Sequence, residues 1–575
     1  MRLRFAVAAL VVVLASLGLY LQRSAVHAWL FDLTGEEAGL AQVRALGQLT
    51  LQAVRPPLDL EPDVPIAGSG VNPFGINTFL QQEVEPAKRE KQVQLIAAAG
   101  FHWLRQEFPW ADIEISGKGN FDDCRNGPCI SAWDKYDQIV DLADRYGLEI
   151  IARLSSAPNW SRADADARGA FAPPDNFADL ADFAAAVAER YRGRVRYLQI
   201  WNEPNGNDEW GYQPVDPEAY TRLLCQTFQR LKAIDPQIVV LAAALTPTNE
   251  LGGLNPNGLG GTNMSDLVYL QRMYNAGARG CFDIMSVQGY GLWSGPTDHR
   301  LNPIGINFAR NLFIRDLMVR NGDEHKAIWI SEMNWNAVPQ GSGISPDFGQ
   351  VTEEQQARYA PLAYQRAQAE WPWLGVNNFW YFKDADDHEK NQAKYYFRMA
   401  DPDFTLKPVY AAMKDYTSQI PVMYPGHYQE DHWAAQWGGA WPLEADPRFE
   451  SGRARRSPQT GGNLSFVFSG TDLDLVTWRY PEAGRLTVQL DGNAPQTIDL
   501  SSPEDQAPVT VSLARGLPDG QHQVMITNEF GFKYIDGFIV RRIPNRTWLM
   551  TVALALALGA AWLILRRRAL ARPHD

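Results

Sequence analysis

Between Phe74 and Gln419 the chain alternates strand-like and helix-like segments eight times in succession. Strand candidates are Phe74–Asn77, His102–Arg105, Glu149–Leu154, Tyr197–Trp201, Ile238–Ala243, Ile284–Gln288, Ala327–Ser331 and Val376–Tyr381. Each is followed by a helical segment: Pro86–Ala99, Trp133–Tyr146, Phe177–Tyr191, Pro217–Ile234, Ser265–Ala276, Pro303–Arg320, Glu353–Glu370 and Lys407–Gln419. Strands joined through helices form a parallel sheet. The count of eight, with no glycine-rich phosphate loop after the first strand, favours an α/β fold of the closed (β/α)8 TIM-barrel type over a doubly wound sheet. The barrel is expected over 72–422. Asp216-Pro217 marks a helix start, an N-cap followed by Pro in the first turn.

The remainder of the chain has a different grammar. From 426 to 545 short runs alternate with period two, as in Leu464–Phe468, Leu486–Leu490, Val509–Leu513 and His522–Ile526, separated by turns such as Asp491-Gly492 and Asp519-Gly520. This is an all-β sandwich module. Ahead of the barrel, 29–71 reads as an amphipathic helix over 30–54 and a Pro-rich linker. Residues 1–28 hold Arg2 and Arg4, the apolar run Phe5 to Leu21 and a tolerable cleavage site at Val26-His27-Ala28, the pattern of a signal peptide or a signal anchor. Thr547 to Leu565 is apolar and uncharged, opens near Trp548, closes near Trp562 and is followed by Arg566-Arg567-Arg568. That is the pattern of a transmembrane helix with its C-terminus inside. The chain is therefore expected at the cell membrane, a lipid bilayer holding its terminal hydrophobic segments, with the barrel and β-module on the extracytoplasmic side.

A net charge of −13 argues against a nucleic-acid partner. Of the 4 Cys, Cys124 and Cys129 flank a turn and suit a small disulfide outside the cytosol, while Cys225 and Cys281 read as buried thiols. None of the 9 His falls in a zinc-like spacing, and neither a metal nor a cofactor is expected.

Two segments carry the chemistry. Gln199-Ile200-Trp201-Asn202-Glu203-Pro204 ends the fourth strand candidate, and Ile328-Trp329-Ile330-Ser331-Glu332-Met333 the seventh. Strand ends of one barrel open into one mouth, so both carboxylates face the same space. A glycosidic bond needs such a pair, one to protonate the leaving oxygen and one to attack or stabilise the sugar cation. Glu203 is cast as acid/base, with Asn202 holding the sugar 2-hydroxyl, and Glu332 as nucleophile. Trp110, Trp160, Trp210, Trp293 and Trp335 fall on or near the loops of that face, and Trp160 and Trp335 in particular are candidate sugar platforms along a cleft for a long chain.

On these residues the chain resembles the retaining glycosidases of clan A, in particular glycoside hydrolase family 39 and related bacterial exopolysaccharide-processing glycosidases. The resemblance implies an Arg at the end of strand two that holds the nucleophile ionised, matched by Arg105; the residues alone also allow an Arg105–Glu107 pair. It implies a Tyr after strand six bonded to the nucleophile, matched by Tyr290, and an aromatic floor at the end of strand eight, for which Trp380 is chosen over Tyr381 and Phe382. Many relatives carry His two positions before the Tyr; this chain has Gln288, which bonds a sugar or the Tyr but does not titrate. The β-module resembles appended carbohydrate-binding or galactose-binding-like modules, with Trp433, Trp437, Trp441 and Trp478 as candidate sugar contacts; the other reading is a module that packs on the barrel and spaces it from the membrane. The reading is a membrane-tethered retaining hydrolase of an extracellular oligo- or polysaccharide. The alternatives are a non-catalytic sugar-binding protein of an envelope polysaccharide system and an exo-acting, xylosidase-like enzyme.

Overall fold

The computed structural model describes residues 22–61, 63–254 and 261–543. The expected hydrophobic segments at Phe5–Leu21 and Thr547–Leu565 lie outside these residues. Among the described residues no helix is long and apolar enough to cross a membrane. The chain divides into two compact units, one reaching to Ile420 and including His427–Trp433, the other formed by Pro421–Gly426 and the chain from Ala434 onward.

The first unit opens with two helices, α1 (Arg23–Thr34) and α2 (Gly39–Gln52), where one helix was expected over 30–54. The chain breaks at Gly35, which takes a left-handed φ of 65°. A Cβ there would stand 2.7 Å from Gly295 O, so neither the conformation nor the space admits a larger residue.

The barrel follows as β1 (Phe74–Thr78), α3 (Pro86–Ala98), β2 (Trp103–Pro109), α4 (Asp134–Arg145), β3 (Glu149–Ser155), α5 (Phe177–Arg190), β4 (Tyr197–Ile200) and α6 (Pro217–Ile234). It continues as β5 (Val239–Ala242), α7 (Asp266–Asn275), β6 (Met285–Gln288), α8 (Asn311–Arg320), β7 (Ile328–Met333), α9 (Glu353–Glu370), β8 (Leu374–Phe379) and α10 (Pro408–Thr417). The eight strands are parallel neighbours in the order β6-β7-β8-β1-β2-β3-β4-β5. Between β5 and β6 the ring is completed by isolated parallel bridges, Leu241 to Ile284 and Leu245 to Val287. Asp216 caps α6 by accepting from Ala219 N at 2.8 Å, with Pro217 at the first position. Thr352 and Gln355 form a capping box at α9.

Trp103, Tyr197 and Trp329 meet edge-on or tilted, with centroids 4.9–5.1 Å apart. They come from the starts of β2, β4 and β7 and plug the barrel at that end. Two residues further along, on the same face of their strands, stand Arg105 and Gln199. An apolar plug thus supports a polar layer, and the polar layer supports the mouth.

Cys124 and Cys129 form a disulfide across a short hairpin. Cys225 and Cys281 are also a disulfide, with Cα atoms 4.6 Å apart, where two thiols were expected. Cys225 lies on α6 and Cys281 just ahead of β6, positions far apart in the chain that barrel closure makes neighbours.

The second unit holds two sheets. One orders Val422–Met423, β9 (Asn463–Gly470), β14 (Gly520–Phe530), β11 (Arg485–Leu490) and β12 (Gln496–Asp499). The other orders Leu443–Ala445, Arg453–Arg456, β15 (Tyr534–Arg541), β10 (Asp472–Arg479) and β13 (Gln506–Ala514). Alternate residues of β9 and β14 are buried, including Leu464, Phe466, Phe468, Val524 and Ile526. Trp437 packs on Trp441 at 4.9 Å and Trp478 on Tyr534 at 5.0 Å. Trp433 belongs to the barrel unit, edge-on to Phe74. Each of these rings makes an aromatic contact; Trp441 is buried, and Trp433, Trp437 and Trp478 are half-buried.

Candidate active site

The end of β4 is where the chain departs most from ordinary geometry. Trp201 has φ 74° and Glu203 φ 37°, both left-handed in residues that carry a Cβ. Such conformations cost about 1–3 kcal/mol each and persist only where neighbours enforce them. Here Trp201 N donates to Leu154 O at 2.8 Å and Trp201 Nε1 to Glu209 O at 2.9 Å. Glu203 N donates to Ala244 O at 3.0 Å, and Asn205 Nδ2 donates to both Thr246 O and Met264 O at 2.8 Å. The turn aims the Glu203 carboxyl into the mouth.

Glu332 arrives from β7, 5% exposed. A register shift after Val287 sets it opposite Gln288 on β6. Its Oε1 pairs with Arg105 Nη1 at 2.9 Å, and its Oε2 accepts from Tyr290 OH at 2.7 Å. Arg105 spends its other donors on Asn77 Oδ1 at 2.7 Å, Gln199 Oε1 at 2.8 Å and Asn202 Oδ1 at 2.9 Å. The guanidinium is therefore shared among β1, β4 and β7. Glu107 does not compete for it, because it pairs with Arg153 at 2.8 Å and accepts from Ser155 and Ser156.

Glu203 is in the opposite condition. Burial, and then the Glu332 charge, push its carboxyl well above the ordinary range. Gln288 donates an Nε2–H to Glu203 Oε1, while the amide Oε1 of Gln288 is buried with no hydrogen-bond partner among the described residues. One carboxylate is paired with a cation and the other is held towards its neutral form, which is how two identical side chains are given opposite roles.

A cleft of about 380 Å³ opens over the pair, lined among others by Phe79, Asn202, Glu209, Trp380 and Asp384. Trp380 meets Phe79 edge-on at 5.5 Å, and its peptide bond to Tyr381 is cis. Tyr381 also lines the cleft, whereas Phe382 is core. Trp335 requires correction as a sugar platform: it is fully buried, donates Nε1–H to Ser294 O at 2.7 Å and packs on Phe308 and Tyr359. Trp160 lies edge-on to Trp110 with its Nε1 on Glu114 O, and is not among the residues lining the cleft. Trp110 and Trp210 are core, and Trp293 is exposed.

The motifs gave no sign of Glu209 or Arg153. Glu209 accepts from Asn202 Nδ2 at 3.0 Å, and burial raises its carboxyl to about 7 against the pull of Arg153. Asp384, bonded by Tyr381 OH, is raised by burial to about 6. Asn77 and Gln199 were readable in principle, since period two puts them on the inward face with Arg105. Glu209 lies on a loop, where no period exists to mark it.

Residues 64–276, which include Arg105, Asn202 and Glu203, match the family model described as Cellulase (glycosyl hydrolase family 5). The chain carries a glycoside hydrolase barrel of clan A. Among solved structures, this glycosidase is similar to a family 39 glycoside hydrolase from the gut symbiont Bacteroides cellulosilyticus, at 15% identity and TM-score 0.44, over 82% of this chain and 83% of that one. It is also similar to a monomeric beta-xylosidase from Caulobacter crescentus, at 13% identity and TM-score 0.43, over 82% and 98%. A family 39 enzyme from Xanthomonas axonopodis pv. citri aligns at 14% identity and TM-score 0.41, over 82% and 96%. Among curated proteins none matches the glycosidase in sequence.

Proposed function

We propose that the glycosidase is a retaining enzyme that hydrolyses O-glycosidic bonds of an extracellular oligo- or polysaccharide from a membrane-tethered position. The observation that carries the mechanism is the opposite setting of the two carboxyls. Glu332, with both oxygens engaged as acceptors, attacks the anomeric carbon, while Glu203 gives its proton to the departing oxygen. A glycosyl ester on Glu332 and a free alcohol result. Glu203, now a carboxylate, takes a proton from water, whose oxygen attacks the same carbon and frees Glu332. Gln288 meets both forms of Glu203: its Nε2–H serves the carboxylate, and its unpartnered Oε1, turned over, serves the acid. Asn202, fixed between Arg105 and Glu209, faces the cleft where a 2-hydroxyl would sit. Proton NMR of the first product formed from a defined glycoside tests this directly. Retained anomeric configuration is expected, and inversion would end the double-displacement reading.

The tethered, extracytoplasmic placement rests on the two terminal hydrophobic segments and on the two disulfides, which persist in oxidising compartments. A second reading, release of single sugars from a chain end, is favoured by the modest cleft and by the burial of Trp110, Trp210 and Trp335. Sizing the earliest products separates the two: mid-length oligosaccharides mean internal cleavage, and monosaccharide alone means end-on attack.

A further inference from the structure

Helix α2 is apolar on two sides. Towards the barrel it turns Ala45, Leu46 and Leu49 together with Gln42, which donates to His27 O at 3.1 Å and to Glu36 O at 2.9 Å, and Gln52, which donates to His299 O at 3.2 Å and accepts from Leu301 N at 2.6 Å. Its outward side is apolar. Leu40, Val43, Gly47 and Leu51, with Val54 just beyond, recur at intervals of three and four residues and so form one stripe. Leu40 is 78% exposed, Val43 63%, Leu51 68% and Val54 84%; Trp29 on α1 is 59% exposed. A contiguous exposed apolar stripe of this kind on a helix that already half-buries Leu46 and Leu49 marks a contact surface.

Two observations indicate what covers this stripe. The apolar run Phe5 to Leu21 ends two residues before α1 begins. The 12 residues of α1 span about 18 Å, and the turn at Gly35 folds α2 back against α1, so the stripe stays within a bilayer's half-thickness of that run's end. Charge is sorted as well. Glu36 pairs with Arg300 and Glu37 with Arg358, both on the barrel, whereas Arg44 and Arg55 are exposed; of Asp32, Glu36 and Glu37 only Asp32 is exposed. In a chain of net charge −13, α2 itself thus carries the exposed cation Arg44, with Arg55 just beyond, and no acid, which suits anionic headgroups; the exposed acids Asp59 and Glu61 follow further along.

We infer that α1 and α2 form an interfacial hairpin whose outward stripe lies in the headgroup region of a lipid bilayer and holds the barrel against the membrane. The inference rests on the tethered reading above and adds a second, peripheral contact. With all four cysteines paired, an introduced cysteine is the sole labelling site. The full chain carrying Val43→Cys, Leu51→Cys or Val54→Cys, labelled with NBD, is reconstituted in phosphatidylethanolamine–phosphatidylglycerol vesicles containing doxyl lipid. Gln48→Cys and Glu189→Cys are the controls. A roughly twofold loss of emission at the three stripe positions, and none at the controls, is expected for an interfacial helix. The pair Val43→Glu and Leu51→Glu should abolish quenching at Val54→Cys while leaving hydrolysis of a soluble glycoside unchanged. Protein that floats with vesicles but shows unquenched stripe labels overturns the hairpin and leaves the tether standing. Protein that does not float removes both. Labels dark to lipid but crosslinking chain to chain would assign the stripe to a second copy and overturn the proposal.

Discussion

The cleft changes charge at Glu209 near pH 7, whereas the unfolded chain gives up that proton near 4.5. Its folded carboxyl titrates above the unfolded value, so the native state binds the extra proton across that interval and stability falls as pH rises through it. The full loss, complete above about pH 7, is about 3 kcal/mol. Glu209→Gln keeps the bond from Asn202 and removes the charge. The drop in melting temperature from about pH 5 to about pH 8 should shrink in the variant, and an unchanged drop would show that Glu209 is not the group titrating. The same substitution withdraws one of the charges that raise Glu203, so the alkaline limb of the rate profile should move to lower pH. Glu332→Gln is nearly isosteric and should lower turnover by about 10⁴-fold or more with the fold intact. Glu203→Ala should slow substrates with poor leaving groups by about 10²–10⁴-fold and activated aryl glycosides much less. Equal losses on both would contradict the acid assignment. At this scale the sequence makes visible what lies on strands. Arg105, Gln288 and Glu332 sit on strands, the last two at their ends, whose period fixes their direction, and Tyr290 follows one. Glu209 and Arg153 depend on a loop path and on a partner choice, Glu107 taking Arg153 rather than Arg105, that only packing decides.

Seven of the eight strands were legible to within two residues, because each is a short apolar run bounded by turn signals; the second, expected over His102–Arg105, runs on to Pro109. The errors fall where tertiary contact overrides local pattern. The helix expected over 30–54 is two helices, since Gly35 must approach Gly295. The loop tryptophans looked like platforms, yet Trp335 and Trp110 are fully buried: a ring's exposure depends on what packs over it, which composition does not encode. The Cys225–Cys281 bridge was missed because its residues lie 56 apart in sequence and meet only in the closed barrel. A loop of that length removes about 4 kcal/mol of unfolded-state entropy. Replacing both cysteines by serine should lower stability by about 2–4 kcal/mol in denaturant titration. The five-residue separation of Cys124 and Cys129 closes a much smaller loop and should matter less.

At the scale of the whole molecule, removal of Thr547 to Leu565 should release the protein from membranes only if the N-terminal segment has been cleaved. Fractionation of that truncation with N-terminal sequencing decides between one anchor and two, and a full-length chain recovered entirely in the soluble fraction refutes both. The closure of the barrel has a consequence for how it comes apart. Seven of its strand junctions are parallel ladders, two of them with register shifts, and the eighth, between β5 and β6, rests on isolated bridges, with Ala242 N on Ile284 O and Asp283 N on Val240 O. Cys225 on α6, the helix that leads into β5, is tied to Cys281 at the approach to β6, so the covalent bond acts as a clasp where the hoop is thinnest. In amide hydrogen exchange the oxidised protein should protect Ala242 and Asp283 almost as well as the neighbouring strands, and mild reduction should turn those two amides into the first to exchange.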